Sequence, residues 1–262
     1  MLVLLSPSKS LDYDTPPPTD KHTQPQFQDE IKELVGVLKD YSRDDLAELM
    51  DLSENLAELN YDRYQNFRDY PVSASDDDAK QAITAFDGDV YRDFQFDEYD
   101  DEHFDFMQKH VRTISGLYGL LRPLDLMQPY RLPMGTKLEN PGGDDLYEFW
   151  GDKVTEATNA ALDAQGDDII LNLASNEYFR AAKQGGLDAR ILNVKFRDLR
   201  GDTYRTITFY LKRLRGTMTD FVVRNKITDP EDLKGFTGRN YYFSDEKSTD
   251  DEFVFLRDEK PD

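Results

Sequence analysis

The sequence contains no cysteine. A chain without cysteine forms no disulfide, binds no metal through thiolates and has no cysteine nucleophile. Any chemistry that it performs must therefore use oxygen and nitrogen groups. The absence of cysteine also suits a reducing compartment.

Long apolar runs are absent as well. No stretch approaches the roughly 18 consecutive apolar residues of a membrane-spanning helix. The apolar opening, Met1 to Leu5, has no basic region before it and no A-x-A cleavage pattern after it. A secretory signal would have a basic region before its apolar run and a cleavage pattern after it. We therefore expect a cytoplasmic protein with no membrane partner.

Basic residues are scarce: 32 Lys and Arg stand against 53 Asp and Glu, giving a net charge of −21. This balance ordinarily argues against nucleic-acid binding, because phosphate contacts require Lys and Arg. The positive charges are nevertheless segregated, with a net charge of +4 over residues 109–137 and +6 over residues 195–226. These two segments are candidate anion-binding surfaces. The Asp-rich segments are typical of solvated faces or of an acidic metal-binding surface.

The hydrophobic pattern predicts an α+β protein. Strands are predicted at residues 1–5, 167–175, 191–198, 203–210, 241–246 and 252–258, and helices at 27–38, 43–50, 53–64, 75–86, 101–116, 144–164, 176–183 and 211–225. Strands and helices mix without a regular βαβ repeat, which favours α+β over a doubly wound sheet. Because no linker or repeat interrupts the chain, we expect one domain over residues 1–262, with a central mixed sheet surrounded by helices.

Two helices illustrate the expected burial. The first carries an apolar stripe at the i, i+3, i+4, i+7 spacing, formed by Ile31, Leu34, Val35 and Leu38. A stripe of this kind faces the core. On the helix that begins after Ser53, the inward side chains are expected to be Leu56, Leu59 and Tyr64.

The segment 115–135 is a succession of glycine and proline turns, and turns present side chains readily. It carries Arg122 and Arg131, with Tyr118 and Tyr130 nearby. Arginine beside aromatic rings suits phosphate contact combined with base stacking. Pairing of the same arginines with acids, to pin an irregular loop, is an equally open interpretation.

Three further basic residues are candidate anion contacts. On a helix, Lys212 and Arg215 lie on one side with Thr219, while Leu211, Leu214 and Met218 face inward. Such a stripe either tracks phosphates or is simply solvated. Lys9 lies where a strand meets a turn, a position suited to anion binding. The match of Ser6-x-x-Lys9 to a serine-nucleophile motif lacks its companion elements.

The acidic helix 101–116 offers a possible iron or manganese site. His103 and His110 are seven residues apart and share a helix face, with Glu102 and Asp105 close by. The i, i+4 pair usual for a helical metal site is missing, which favours structural histidines.

Several segments, in order over nearly the whole chain, resemble the YaaA family of bacterial peroxide-stress proteins. They are SPSKSLDY, SENLAELNYDRY, FDGDVY, SGLYGLLRPLDLMQPYRLPMG, LYEFWGD, LNLASNEYF, YLKRLRG and ITDPEDLKGF. The resemblance implies a mixed α/β domain of unusual fold, survival of hydrogen peroxide by limiting damage from unincorporated iron, and DNA binding through a basic cleft. It also implies a helix-hairpin-helix element near residues 43–68, with the hairpin mapping onto 53–63.

The resemblance implies a role for seven basic residues of this chain. The expected DNA-contacting set is Lys9, Arg112, Arg122, Arg131, Lys212, Arg213 and Arg215. The sequence also departs from the family in two ways. The surface is far more acidic than is usual for a DNA-binding protein, and Glu58 stands in the hairpin segment, which has no glycine.

The leading hypothesis is a non-enzymatic peroxide-response protein, without cofactor, whose seven basic residues converge on one cleft and bind DNA independently of sequence. A second hypothesis is iron handling without DNA, through His103 and His110. A third is an enzyme acting on a phosphate-bearing substrate, with Asp125 as its general base.

Overall fold

The computed structural model describes residues 1–258, apart from the side chains at positions 208 and 209. The strands are β1 (Leu2–Leu5), β2 (Ser10–Leu11), β3 (Lys80–Gln81), β4 (Phe86–Asp87), β5 (Val111–Ser115), β6 (Gly119–Leu121), β7 (Leu126–Met127), β8 (Ile169–Asn172), β9 (Arg190–Arg200), β10 (Thr203–Arg205), β11 (Tyr242–Phe243) and β12 (Glu252–Arg257). The α-helices are α1 (Gln28–Lys39), α2 (Arg43–Met50), α3 (Glu54–Gln65), α4 (Ala82–Ala85), α5 (Asp101–His110), α6 (Leu146–Trp150), α7 (Lys153–Asp163), α8 (Asn176–Ala182) and α9 (Thr208–Arg224). Short 3₁₀ helices span Phe96–Glu98, Pro230–Gly235, Gly238–Asn240 and Asp245–Lys247.

The central sheet has the strand order β11-β12-β9-β8-β1-β5-β6, and β10 pairs with the end of β9. The five inner strands, from β12 to β5, run parallel, whereas β6, β10 and β11 are antiparallel additions. All four residues of β1 are buried. A continuous apolar run is expected of a parallel strand that is covered on both faces. The mixed α+β architecture predicted from the pattern is therefore confirmed.

One large hydrophobic cluster extends from Met1 to Phe255 and takes in side chains of most of these elements. The single domain over residues 1–262 stays a prediction, and its last four residues lie outside the described part of the chain. None of the helices described is both long and apolar enough to cross a membrane.

Three predicted helices differ from the structure. The helix predicted over 101–116 ends at His110, because Val111–Ser115 pairs with β1 as a parallel strand, with Val111 opposite Val3. Residues Val111, Thr113 and Ile114 are β-branched, which favours the strand. The helix predicted over 144–164 is broken into α6 and α7 at Gly151, whose φ of 46° lies in the left-handed region.

The predicted helix 75–86 is mostly absent. The acids at its start do not cap a helix, since Asp76 accepts a hydrogen bond from Ser73 N and pairs with Arg68. Only α4, four residues long, follows the short strand β3. The local capping signal was outweighed by pairing of β3 with β7.

The burial predicted for α1 is confirmed, and that for α3 is partly wrong. Ile31, Leu34, Val35 and Leu38 are buried as expected. On α3 the buried residues are Ala57, Asn60 and Tyr64, whereas Leu56 and Leu59 are exposed. The hydroxyl of Tyr64 donates to the Arg131 carbonyl at 2.6 Å, which orients α3 with its leucines outward.

Candidate functional site

A cleft of about 530 Å³ opens at the carboxyl ends of β1 and β8. One wall is the segment after β1, residues 6–10, and another is the start of α8 with the residue before it, 175–178. The remaining walls come from residues 87–92 and from α9. The charged side chains that line it are Lys9, Asp87, Asp89, Arg92, Glu177, Lys212 and Arg215.

Hydrogen bonds fix the segment after β1 against its neighbours. The Ser6 hydroxyl oxygen accepts from Ser175 N at 2.8 Å, which ties the exits of β1 and β8 together. The Ser6 carbonyl accepts from the Tyr91 hydroxyl at 2.9 Å, and the Ser8 hydroxyl donates to the Asp87 carbonyl at 2.6 Å. Ser6 is thus a structural acceptor, and Lys9 is left to face the cleft.

Close packing of α9 brings its basic side to the same cleft. A Cβ at Gly216 would lie 1.8 Å from the Val90 carbonyl oxygen, so only glycine lets the helix approach this loop. Leu214 and Met218 are buried, as the helical spacing predicted. Thr219 was expected beside the basic residues but is buried, and its hydroxyl donates to the Arg215 carbonyl at 2.9 Å.

The three cations Lys9, Lys212 and Arg215 have no ion pair and no side-chain hydrogen bond within the described residues. Arg215 is partly buried, and its burial lowers the pKa of the guanidinium. In contrast, Arg92 in the same cleft pairs with Asp87 at 3.0 Å. Unpaired cations are costly to desolvate, so an acidic chain that leaves three of them together presents an anion site.

Acidic groups also line the cleft and limit where an anion can lie. The Glu177 carboxylate accepts from Gly135 N at 3.1 Å, and its charge contributes to raising the pKa of neighbouring Tyr178, after the larger effect of burial. Asp89 lies on the opposite segment. An anion is therefore confined to the side formed by Lys9 and α9.

The other four predicted contacts do not line this cleft. Arg122 donates from Nε and Nη2 to Asp125 at 3.0 and 2.8 Å and from Nη2 to the Gln24 carbonyl. Arg112 donates to the carbonyls of Gln108 and Val111, both at 2.8 Å, and burial lowers its pKa to about 10. The Arg122 pair fits the interpretation in which an arginine pairs with an acid to pin the loop, whereas Arg112 contacts backbone carbonyls only.

Arg213 and Arg131 do not line the cleft either, although the charge of Arg131 acts on Tyr178, which does. Arg213 pairs with Asp93 at 3.0 Å, and Arg239 holds the same carboxylate at 2.7 Å. This fixes α9 to the segment near residue 239. The Nε of Arg131 is buried without a partner in the described structure. Of the seven basic residues predicted to converge on one cleft, three therefore line it, namely Lys9, Lys212 and Arg215.

The side chains proposed for iron do not assemble. No group of three or more His, Asp or Glu residues able to hold a metal occurs in the described part of the chain. His103 pairs with Asp100 at the start of α5, whereas His110 Nδ1 contacts the Met1 carbonyl at 3.0 Å at its end. Glu102 and Asp105 pair with Lys226 and Lys21.

Asp125, predicted as a possible general base, is also held in hydrogen bonds within the protein. Asp125 is fully buried and accepts from Arg122 N at 2.8 Å and from the Thr23 hydroxyl at 2.6 Å. Together with the Arg122 guanidinium, these donors satisfy both of its oxygens. Asp125 stabilises the loop and is not among the residues that line the cleft.

The helices of the predicted helix-hairpin-helix element are present as α2 and α3, joined by residues 51–53. The segment 56–60, expected near the hairpin, lies inside α3. Glu58 pairs with Arg43 at 2.7 Å across the two helices. DNA binding by this element stays a prediction.

Sequence reasoning missed the acidic side of the cleft, and it predicted the strand at 167–175 without placing it beside β1. Ser175, Glu177 and Tyr178 follow β8, but nothing local shows that β8 lies beside β1. Recognition that β1 and β8 are adjacent parallel strands would have placed both exits at one edge of the sheet.

Fold and cleft together define a mixed α/β protein with a cation-lined crevice at the carboxyl edge of a mainly parallel sheet. A family model described as peroxide stress protein YaaA matches residues 1–247. The chain belongs to this family, and the resemblance seen in its motifs is confirmed.

Proposed function

We propose that this peroxide stress protein binds DNA, independently of sequence, through phosphate contacts from Lys9, Lys212 and Arg215. The observation that carries the proposal is that all three line one cleft and have no acidic partner within the described residues. Contacts to phosphate oxygens position a protein on DNA without reading its bases. No base-reading element is required for this role.

The chemistry of the three side chains suits phosphate. The guanidinium of Arg215 can donate two parallel hydrogen bonds to a phosphate, and its partial burial strengthens the attraction. Lys9 and Lys212 are exposed point charges that adapt to a flexible backbone. Arg215 would fix the phosphate, while the lysines add affinity that depends on salt.

The acidity of the remaining surface limits how DNA can approach. With a net charge of −21, most of the molecule repels phosphate, and this repulsion extends over a Debye length of about 8 Å at physiological salt. Binding is therefore directed to the cleft and is weak at high salt.

Phosphate binding also suggests a link to iron. DNA carries a condensed layer of cations, and a protein that neutralises phosphates releases them. Ferrous ions in that layer would be displaced along with other cations, away from the sugar and bases that a peroxide-derived radical attacks. Protection would then follow from DNA binding without an iron site on the protein.

Fluorescence anisotropy of a labelled duplex tests the proposal. The cleft variant is Lys9→Gln with Lys212→Gln and Arg215→Gln, and the control is Lys109→Gln with Lys137→Gln and Arg205→Gln, which removes the same charge from exposed positions outside the cleft. At low salt the parent and the control should bind with similar affinity, and the cleft variant should bind far more weakly. Equal binding by both variants would show that the cleft is not the contact surface.

A further inference from the structure

The cleft coincides with a topological switch point of the sheet. Strands β1 and β8 are neighbours, but the chain leaves β1 for β5 on one side and leaves β8 for β9 on the other. In open α/β sheets, ligands bind in the crevice at the carboxyl ends of two such strands, because the diverging connections leave it open. The segments 6–10 and 175–178 line this crevice.

The dimensions of the crevice suit a small molecule better than a duplex. Its volume of about 530 Å³ falls within the range of roughly 300 to 1,000 Å³ of small-molecule pockets. A duplex lying across the opening could place a backbone phosphate near the exposed Lys9 and Lys212. Arg215 is partly buried, so a duplex phosphate must approach the opening closely to contact it, whereas a mononucleotide or a strand end can also enter between the walls.

The charge of the crevice points to a terminal phosphate. A phosphodiester in the backbone carries one negative charge, whereas a phosphomonoester carries about 1.5 to 2 at pH 7 and has three acceptor oxygens. Lys9, Lys212 and Arg215 together supply three positive charges and more donors than a diester can use. These groups match the monoester more closely.

The acids on the opposite walls suggest what is attached to that phosphate. Glu177 and Asp89 would repel a second phosphate but can accept hydrogen bonds from the hydroxyl or amino groups of a nucleoside. The aromatic ring of Tyr178 lies beside Glu177 and also lines the crevice. The crevice therefore has a cationic side for a phosphate and an acceptor side for a sugar or base.

From this arrangement we infer that the crevice is a binding subsite for a terminal phosphomonoester on a nucleoside, with Arg215 as its innermost contact. The ligand is either a free mononucleotide or the phosphorylated end of a DNA strand. The second source rests on the proposed DNA binding, and the first does not.

Isothermal titration with a deoxynucleoside 5′-monophosphate tests the subsite, with the unphosphorylated nucleoside as the reference ligand. The parent should bind the nucleotide saturably and bind the nucleoside far more weakly. Arg215→Gln should weaken nucleotide binding about ten- to hundredfold, the usual effect of losing a charged hydrogen bond. Arg205→Gln should bind as the parent does. If Arg215→Gln does not fold, Lys212→Gln, at an exposed position, replaces it.

A second titration uses one duplex with either 5′-phosphate or 5′-hydroxyl ends. Tighter binding of the phosphorylated duplex, lost on addition of the mononucleotide, supports the strand-end source. Nucleotide binding with no binding of either duplex supports the subsite and overturns the proposed DNA binding. Equal binding of both duplexes with no nucleotide binding overturns the subsite and leaves the proposed function in place.

Discussion

The Arg122 guanidinium donates from both Nε and Nη2 to one oxygen of Asp125, at 3.0 and 2.8 Å, across three residues of the chain. The other carboxylate oxygen accepts from Arg122 N at 2.8 Å. The same aspartate accepts from Thr23, and the same guanidinium donates to the Gln24 carbonyl. The pair thus fastens the segment 115–135 to residues 23–24.

Replacement of Asp125 tests this structural role. Asp125→Asn should lower the free energy of unfolding by about 1 to 3 kcal/mol, because the amide NH₂ group is set against N–H and O–H donors that the carboxylate accepted from. Urea denaturation measures the change, and the folded fraction should still bind DNA like the parent. Unchanged stability combined with loss of a nucleotide-directed activity would instead restore Asp125 as a general base.

The approach of α9 to the cleft wall can be tested at Gly216. Gly216→Ala places a Cβ against the Val90 carbonyl, so the helix must move and the free energy of unfolding should fall by about 1 to 3 kcal/mol. DNA binding should weaken because Lys212 and Arg215 are displaced.

Gly36→Ala is the matched control for this substitution, since a Cβ there meets nothing within 4 Å in the middle of α1. The free energy of unfolding of Gly36→Ala should exceed that of the parent by up to about 1 kcal/mol, because alanine is more favourable than glycine inside a helix. Equal behaviour of the two alanine variants would contradict the close packing of α9.

The buried His110 predicts a pH dependence of stability. Burial is the main cause that lowers its pKa below the ordinary 6.5, and the nearby N-terminus and Lys109 lower it further. As the pH falls through 6.5, the unfolded chain gains a proton at His110 that the folded protein resists, so stability declines. The decline is complete once the pH is below the folded-state pKa.

Denaturant titrations between pH 8 and pH 5 check this expectation. The parent should lose stability more steeply on acidification than His110→Gln, while His22→Gln, at an exposed position, should follow the parent. A His110→Gln profile parallel to that of the parent would mean that His110 does not resist protonation.

The sequence predicted those parts of the fold that local pattern determines. The stripe of α1 is confirmed because its helical spacing matches its burial, and β1 is confirmed because a continuous apolar run is buried throughout. The antiparallel pair of β11 and β12 is also confirmed. The end of α5 was missed because Val111 and Ile114 continue the helical i, i+4, i+7 spacing that starts at Met107. Pairing with β1, a partner more than a hundred residues away, makes this segment a strand instead.

The candidate site was predictable only in part, for the same reason. Lys9, Lys212 and Arg215 were identified as anion contacts from their positions after a strand and on a helix. The difference between them and Arg122 or Arg213 depends on which acids lie nearby in space. Asp93 is 120 residues from Arg213 in the chain, and no local pattern indicates that pair.

The salt dependence of DNA binding shows most directly whether Lys9, Lys212 and Arg215 contact phosphates. The logarithm of the binding constant should fall linearly with the logarithm of the salt concentration, with each phosphate contact contributing about 0.9 to the slope. Replacement of all three cleft cations by glutamine should reduce that slope by about 2 to 3, whereas Lys109→Gln with Lys137→Gln and Arg205→Gln should leave it unchanged. Equal slopes for the parent and the cleft variant would show that these three residues do not contact phosphates.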